Sequence, residues 1–374
     1  MTRTSGIGRR ALLRAFGQSG ALFAGTLATG AAAAAHGAGQ RGLLLADAAD
    51  AGRAGTPAPS LGEPAMMVAG PSTSAAGALA QMLAPLLSVA LGSRSLTLSA
   101  VGGRDGVTGA NAYEALTNPD GATALLVPGA ACIAWLAGDP RVHFDAGHWV
   151  PALTSFGSAA LMCRDRPDRR FRSAAPLRVA ASTPAGPELP ALLGLSLLGI
   201  RAVPVFGLAE AADAASALHG GRVDAILLAG GSVPDRADAL VASGLQPIFS
   251  LGTGSGDARD PALPGMPTLP ELLRASPGGS PALLDAWRAT AAAARLHVAL
   301  VLPQLTPASL VALWRGACRT AAQDSASTQA AGRAQLTILP APECVAALAT
   351  MVAGENTLLA LRRWLASRTD WRPA

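Results

Sequence analysis

Lysine is absent from this chain, and all 29 of its basic residues are arginines. Aromatic residues make up only 4% and charged residues 14%, whereas half of the residues are apolar. A chain with this balance is neither intrinsically disordered nor composed like a nucleic-acid-binding protein. The arginine bias itself indicates a GC-rich genome rather than a function.

The chain also lacks the sequence motifs of the common enzyme classes. It has no Gly-x-Ser-x-Gly elbow, no His-Glu-x-x-His pair and no phosphate-binding loop with Gly-Lys-Ser. The acidic residues Glu188, Asp213 and Asp224 form no evident acid/base pair, and Asp224 is expected to fix a turn. An enzyme is therefore disfavoured, and no cofactor is predicted.

Cysteine is scarce, and its spacing is too wide for a metal site. The four cysteines are Cys132, Cys163, Cys318 and Cys344. Only Cys318 and Cys344 lie on neighbouring candidate helices, so a disulfide between them stays open, with buried free thiols as the favoured alternative.

Three other features are weak candidates for a site. His143 and His148 flank Asp145, and a packed turn is favoured there over a metal pair. The glycine-rich residues 252–256 precede acidic residues and a proline rather than a helix, which indicates a surface loop. His297 lies in an apolar run and is expected to be a hydrogen-bonded core histidine.

Residues 1–35 carry the clearest targeting signal. Arg9 and Arg10 stand before two leucines, a mildly apolar run follows, and small residues suited to cleavage end it. Removing this segment with its four arginines takes the net charge from +5 to +1, so a basic nucleic-acid surface is not supported. We expect cleaved export to the periplasm, by the twin-arginine or the general route, and a flexible leader over residues 36–63. No later run reaches 18 apolar residues, so the mature protein is predicted to be soluble.

Three strand–loop–helix units follow the leader. The first has an apolar run at 66–69, a loop of small and polar residues at 70–77, and a helix-periodic segment to Leu91. Two more units end near residue 134. Successive units of this kind predict a parallel sheet with helices on its faces.

A long extended segment at 150–163 separates these units from a second series. Residues 164–172 mix arginines with aspartates and indicate a solvated edge. The strand–loop–helix pattern then restarts at Leu177, and the tail after Thr306 is mostly helical by its periodicity. This layout predicts two α/β lobes with a cleft between them: 64–158 and 298–374 form the first lobe, and 159–297 the second.

Five short motifs in this order resemble the Bug-type periplasmic receptors of tripartite tricarboxylate transporters. They lie at residues 106–110, 118–126, 142–151, 221–224 and 263–268. The resemblance runs from Pro64 to the C-terminus. It implies a type II periplasmic binding protein fold, a small carboxylate in the cleft, and membrane permease subunits as partners.

The resemblance also implies which loops hold the ligand. They are 70–77, 128–134, 182–186 and 228–232, and helix N-termini at such loops suit an anion. The candidate ligand-binding residues are Ser72, Thr73, Ser74, Gly77, Gly129, Ala130, Ser182, Thr183 and Gly230. No metal ligands are among them.

The first loop departs from the family pattern, because Gly77 stands where relatives carry an aspartate. The family's aspartate after the 221–224 motif is also missing, since Leu227, Leu228 and Ala229 stand there. A ligand held mainly through its carboxylate remains compatible with the loops. The alternatives left open are a diverged binding protein that feeds a sensor or has no permease, and an exported enzyme on the same scaffold.

Overall fold

The computed structural model describes residues 61–164, 175–254, 256–274, 280–369 and 371–373. The expected export segment, nearly all of the leader, and residues 165–172 of the arginine-rich run lie outside the described residues. No helix in the described ranges is long and apolar enough to cross a membrane.

The described chain alternates strands with helices through most of its length. The strands are β1 Ala65–Ala69, β2 Thr97–Val101, β3 Thr123–Val127, β4 Val150–Phe156, β5 Ser158–Cys163, β6 Leu177–Ala180, β7 Ala202–Val205, β8 Ala225–Gly230, β9 Gln246–Ser250, β10 Leu296–Leu302 and β11 Thr337–Pro340. The helices are α1 Ala75–Ala90, α2 Val107–Leu116, α3 Gly129–Ala137, α4 Leu189–Leu197, α5 Ala211–His219, α6 Val233–Ala242, α7 Leu269–Arg274, α8 Pro281–Arg295, α9 Ala308–Gln323, α10 Ser325–Ala334, α11 Glu343–Ala349 and α12 Glu355–Arg368. A short 3-10 helix covers Ala146–His148.

The strands form two separate sheets. The six-stranded sheet has the order β11-β4-β10-β3-β1-β2, and the five-stranded sheet has the order β7-β6-β8-β5-β9. Within the first sheet β1 pairs in parallel with β2 and β3, and β10 joins antiparallel to β3 and β4. Within the second, β6 pairs in parallel with β7 and β8, and β5 lies antiparallel between β8 and β9. The expected α/β class, with two sheets flanked by helices, is confirmed.

Alternation along β1 shows how the first sheet is buried on both faces. Met66 and Val68 pack with Leu83 and Leu87 of α1 in one apolar cluster, which Trp314 of α9 completes. Ala69 faces the opposite cluster, which also takes in α3, α4 and α8. A strand buried on both faces is a near-continuous apolar run, which is the pattern that marked residues 66–69 in the sequence.

The chain passes between the sheets twice. It leaves the first sheet at Gly157, between β4 and β5, and returns where α8 meets β10. We keep the predicted division into 64–158 with 298–374, and 159–297, as a proposal. In the structure the chain re-enters the first sheet two residues before the predicted boundary at 298, since β10 begins at Leu296.

The structure corrects several expectations from the sequence. The mostly helical tail contains the strand β11, and β9 was not predicted at all. Strand β8 runs to Gly230, so residues 228–230 of the predicted loop at 228–232 belong to a strand. His297 is half-buried rather than in the core, and no described residue hydrogen-bonds its ring.

Candidate functional site

The carboxyl ends of the parallel strands in both sheets carry the βα loops and face each other across a cleft. Arg104, in the loop after β2, forms an ion pair with Glu210, which immediately precedes α5 in the second lobe. The loop after β7 in turn contacts the loop after β6, since the N–H of Gly207 donates to the carbonyl of Ser182 at 3.2 Å. Ligands of open α/β sheets bind at such strand ends.

The first-lobe loop at 70–77 is held in shape by its own residues. The Ser74 hydroxyl caps α1: it accepts from the N–H of Gly77 at 3.1 Å and donates to the carbonyl of Pro71 at 2.6 Å. Gly77 is buried against Ser72, and a Cβ there would lie 2.2 Å from the Ser72 carbonyl oxygen. Gly77 is therefore needed for close packing, which explains why no side chain is found at this position.

Ser72 and Thr73 form the open part of the same loop. Both residues are exposed, and their N–H and hydroxyl groups bond to no other residue that the structure describes. The first turn of α1 contains no acidic residue. Free donors at the start of a helix without nearby negative charge are a suitable place for a carboxylate.

The predicted loop at 128–134 is mostly helix, because α3 begins at Gly129, and its first turn is only partly open. Gly129 is buried, and a Cβ there would lie 2.1 Å from the carbonyl oxygen of Ala293 and 2.5 Å from that of Leu296. Its surroundings are thus the junction of α8 with β10. Ala130 is half-buried and is the more accessible of the two predicted residues.

The second-lobe loop after β6 holds a carboxylate of the chain itself. Glu188, at the start of α4, accepts from the Ser182 N–H at 3.1 Å and from the Ser182 hydroxyl at 2.8 Å through the same oxygen, Oε2. Burial raises the pKa of Glu188, and this effect outweighs the lowering by the hydrogen bonds from Ser182 and from its own N–H. Thr183 beside it is exposed.

The C-terminal end of helix α10 covers the loop after β8. Helix α10 follows β10 in the chain and so comes from the first-lobe part of the sequence. The N–H of Ser232 donates to the carbonyl of Ala334, the last residue of α10, at 2.8 Å. Gln335 donates to Asp235 at 2.9 Å beside this contact. Gly230 has a φ of 92° and lies close to the first crossing between the sheets. A Cβ on Gly230 would lie 3.9 Å from Nδ1 of His297.

The predicted residues therefore fall into three groups. Ser72, Thr73, Ser74 and Gly77 form one loop on the first lobe, and Ser182 and Thr183 lie in the loop after β6 on the second. Gly129 and Gly230 are placed at the two crossings between the sheets. The assignment of these residues to a ligand stays a prediction.

Sequence reasoning missed four residues that shape the cleft: Glu188, Arg104, Glu210 and Ala334. Only Glu188 had a usable signal, because an acid at a helix start following a βα loop is placed to accept that loop's N–H groups. The others act across the lobes and have no local pattern.

The weaker candidates take structural roles. Phe144 stacks on Trp149 with ring centroids 5.1 Å apart, which confirms a packed turn around His143 and His148. The Asp224 carboxylate accepts from the N–H, Nε and Nη2 of Arg178 at 2.8–3.1 Å, which confirms that it fixes the turn before β8. Within the described ranges no group of three or more His, Cys, Asp or Glu side chains is placed to hold a metal ion.

Neither a protein-family model nor a curated protein matches the sequence. Solved structures do match the fold. A TctC solute-binding protein from Polaromonas is 17% identical with a TM-score of 0.59, over 82% of this chain and 98% of that one. MatC from Rhodopseudomonas palustris, solved with bound malate, is 19% identical with a TM-score of 0.54, over 81% and 98%. The periplasmic binding protein BugD is 17% identical with a TM-score of 0.53, over 82% and 97%. The chain therefore has the fold of two-lobed periplasmic solute-binding proteins.

Proposed function

We propose that the chain is an exported receptor of the tripartite tricarboxylate transporter type, which captures a small carboxylate between its lobes and delivers it to membrane permease subunits. The observation that carries this proposal is the pair of unengaged residues Ser72 and Thr73 at the start of α1. Their loop follows β1, which pairs with β2, and Arg104 in the loop after β2 forms an ion pair with Glu210 of the second lobe. Closure of two lobes on a ligand is the ordinary switch of such a fold.

Two further observations support the proposal. MatC shares the fold and holds malate, a small carboxylate, in its structure. The sequence before residue 61 also resembles a cleaved export signal. In this role the protein works in the periplasm, binds its ligand without chemistry and needs no cofactor.

Screening a carboxylate panel by thermal shift, followed by calorimetry on the mature chain, tests the proposal. We expect at least one small carboxylate to stabilise the protein. If only uncharged or cationic solutes do so, the first-lobe anion site is wrong.

A double variant, Ser72→Leu with Thr73→Leu, locates the site. Both side chains are exposed, so the fold is expected to survive while binding is lost. The matched control is Ser95→Leu with Thr97→Leu, which changes two exposed residues at the amino end of β2, away from the cleft. Unchanged affinity in the first variant would move the site elsewhere.

A second candidate function is that of a diverged binding protein with the same ligand site. Such a protein either presents its ligand to a sensor protein or has no cognate permease. The altered first loop favours it, because Gly77 packs against Ser72 and leaves no room for the aspartate of relatives. Permease genes beside this one would favour transport, and pull-down of a sensor's periplasmic domain by the ligand-loaded protein would favour sensing.

A further inference from the structure

The two lobes use their loop donors differently, although each keeps an exposed threonine, Thr73 or Thr183, whose donors bond to none of the described residues. In the second lobe, both βα loops that were expected to face ligand give hydrogen bonds to acceptors of the chain itself. Ser182 donates twice to Glu188, and the N–H of Ser232 donates to Ala334. In the first lobe, the donors of Ser72 and Thr73 bond to none of the described residues.

The contact between Ser182 and Glu188 has the form of a carboxylate site with its anion already in place. The N–H and hydroxyl of Ser182 both donate to one carboxylate oxygen, Oε2 of Glu188. Gly186 closes the loop around it, since a Cβ there would lie 2.1 Å from Ser182 Oγ and 2.8 Å from Glu188 Oε2. These are the donors that a ligand carboxylate bound at this loop would require.

The position of Glu188 is costly for a residue with no further role. Glu188 is half-buried, burial raises the pKa of its carboxyl, and none of the described ion pairs involves it. A partly desolvated carboxylate without a counter-ion repels a second carboxylate brought within several ångströms and favours a hydrogen-bond donor or a cation there.

Resting on the proposed function, we propose that Glu188 determines which class of carboxylate is bound. The ligand places its single carboxylate on Ser72 and Thr73 and presents a hydrogen-bond donor, a hydroxyl or an ammonium group, to the second lobe. A dicarboxylate is excluded because the place for its second carboxylate is filled by Glu188.

Calorimetry on the full mature chain tests this inference with acids that differ only at the far end. The probes are butyrate, γ-hydroxybutyrate, γ-aminobutyrate and succinate, together with the sets one carbon shorter and one carbon longer. We expect the best hydroxy or amino acid to bind at least about tenfold more tightly than the dicarboxylate of equal length. The hydroxy and amino acids distinguish the two kinds of donor.

Two variants separate the charge of Glu188 from the shape of the loop. Glu188→Gln keeps an oxygen that accepts from Ser182 but removes the charge, so the preference over the dicarboxylate should fall at least about tenfold. Ser182→Ala keeps the carboxyl group of Glu188 and, at a pH above its raised pKa, should keep the preference. Circular dichroism checks that both variants fold.

The outcomes divide clearly. A wild-type protein that binds succinate or its homologues as tightly as the matched hydroxy and amino acids overturns the inference alone. So does a Glu188→Gln variant with an unchanged preference, or a Ser182→Ala variant that loses it. If no carboxylate binds to either the wild type or Glu188→Gln, the proposed function fails and this inference fails with it.

Discussion

The N–H of Gly157 donates to the carbonyl of Arg295 at 3.0 Å, and this bond joins the two segments that cross between the sheets. Gly157 separates β4 from β5, and Arg295 ends α8 just before β10. The Arg295 side chain is buried at the same place, with its guanidinium 5.7 Å from the ring centroid of Phe156. Since a change in the angle between the lobes would bend both crossings, we expect the hinge of any closure at this contact.

Gly157→Ala is expected to destabilise this hinge. A Cβ at Gly157 would lie 2.3 Å from the carbonyl oxygen of Gly230, which is backbone and cannot rotate away. The backbone shift that this forces should lower the free energy of unfolding by about 1–3 kcal/mol. Urea denaturation measures the loss, and calorimetry with a ligand from the panel should show weaker binding as well.

Gly316→Ala is the matched control for that substitution. Gly316 lies inside α9, and apart from its chain neighbours and the nearby backbone of its own helix no atom lies within 4 Å of the position of its Cβ. Removing a glycine from a helix interior should raise the free energy of unfolding by about 0.5–1 kcal/mol. Equal effects of the two substitutions would argue against a tight contact at Gly157.

The ion pair between Arg104 and Glu210 should bias the cleft towards closure. Both side chains are largely exposed, at 69% and 50%, so the pair is weak and sensitive to salt. Arg104→Glu places like charges across the cleft mouth and should weaken ligand binding by up to about fivefold at low salt. Combining it with Glu210→Arg should restore affinity, as calorimetry at low and high salt can show. Failure of the double variant to recover would mean that Arg104 acts through some other contact.

Most of the fold follows from local patterns in the sequence, and the two missed strands share two features. The apolar run at 66–69 and the helix after it were predictable because burial on both faces and helical spacing leave clear signatures. Strands β9 and β11 were missed, and each contains a proline, Pro247 and Pro340. Proline weakens a strand pattern, yet both strands lie at sheet edges, where a missing N–H costs no ladder bond.

The order of strands and loops along the chain predicts where the candidate site lies, but not which of its groups are available to a ligand. Loops such as 70–77 and 182–186 follow parallel strands, so their general position was expected from topology. The sequence did not predict which hydrogen-bond donors of these loops stay free, because their partners lie far away in the chain. The carbonyl of Ala334 covers Ser232 from a helix far along the chain, and no local pattern at either residue indicates it.

The four cysteines should be inaccessible thiols in the native protein. All four are buried, and none forms a disulfide in the described structure. Burial raises the pKa of the Cys132 thiol to about 12 and that of Cys344 to about 11, so little reactive thiolate forms near neutral pH. A thiol reagent should therefore label none of them before denaturation and all four afterwards. A count two lower after denaturation would instead indicate a disulfide between Cys318 and Cys344.

The stability of the protein should carry a pH dependence that belongs to Glu188. Because burial raises its pKa in the folded state above the usual 4.5, the folded protein holds this proton more tightly than the unfolded chain does. The stability gained is fully present below pH 4.5 and is lost as the pH rises through the raised pKa. Relative to Glu188→Gln, the wild type should therefore lose free energy of unfolding from pH 4.5 upwards and reach a plateau.

Urea denaturation of both proteins across this range measures that difference, and Ser182→Ala supplies the control. Removing the Ser182 hydroxyl takes away a hydrogen bond that lowers the pKa of Glu188, so the loss should extend to higher pH in this variant. Parallel curves for the wild type and Glu188→Gln would mean that the carboxylate is well hydrated in solution. In that case the second lobe would keep its Ser182 donors for ligand, and the carboxylate position after β6 would be open.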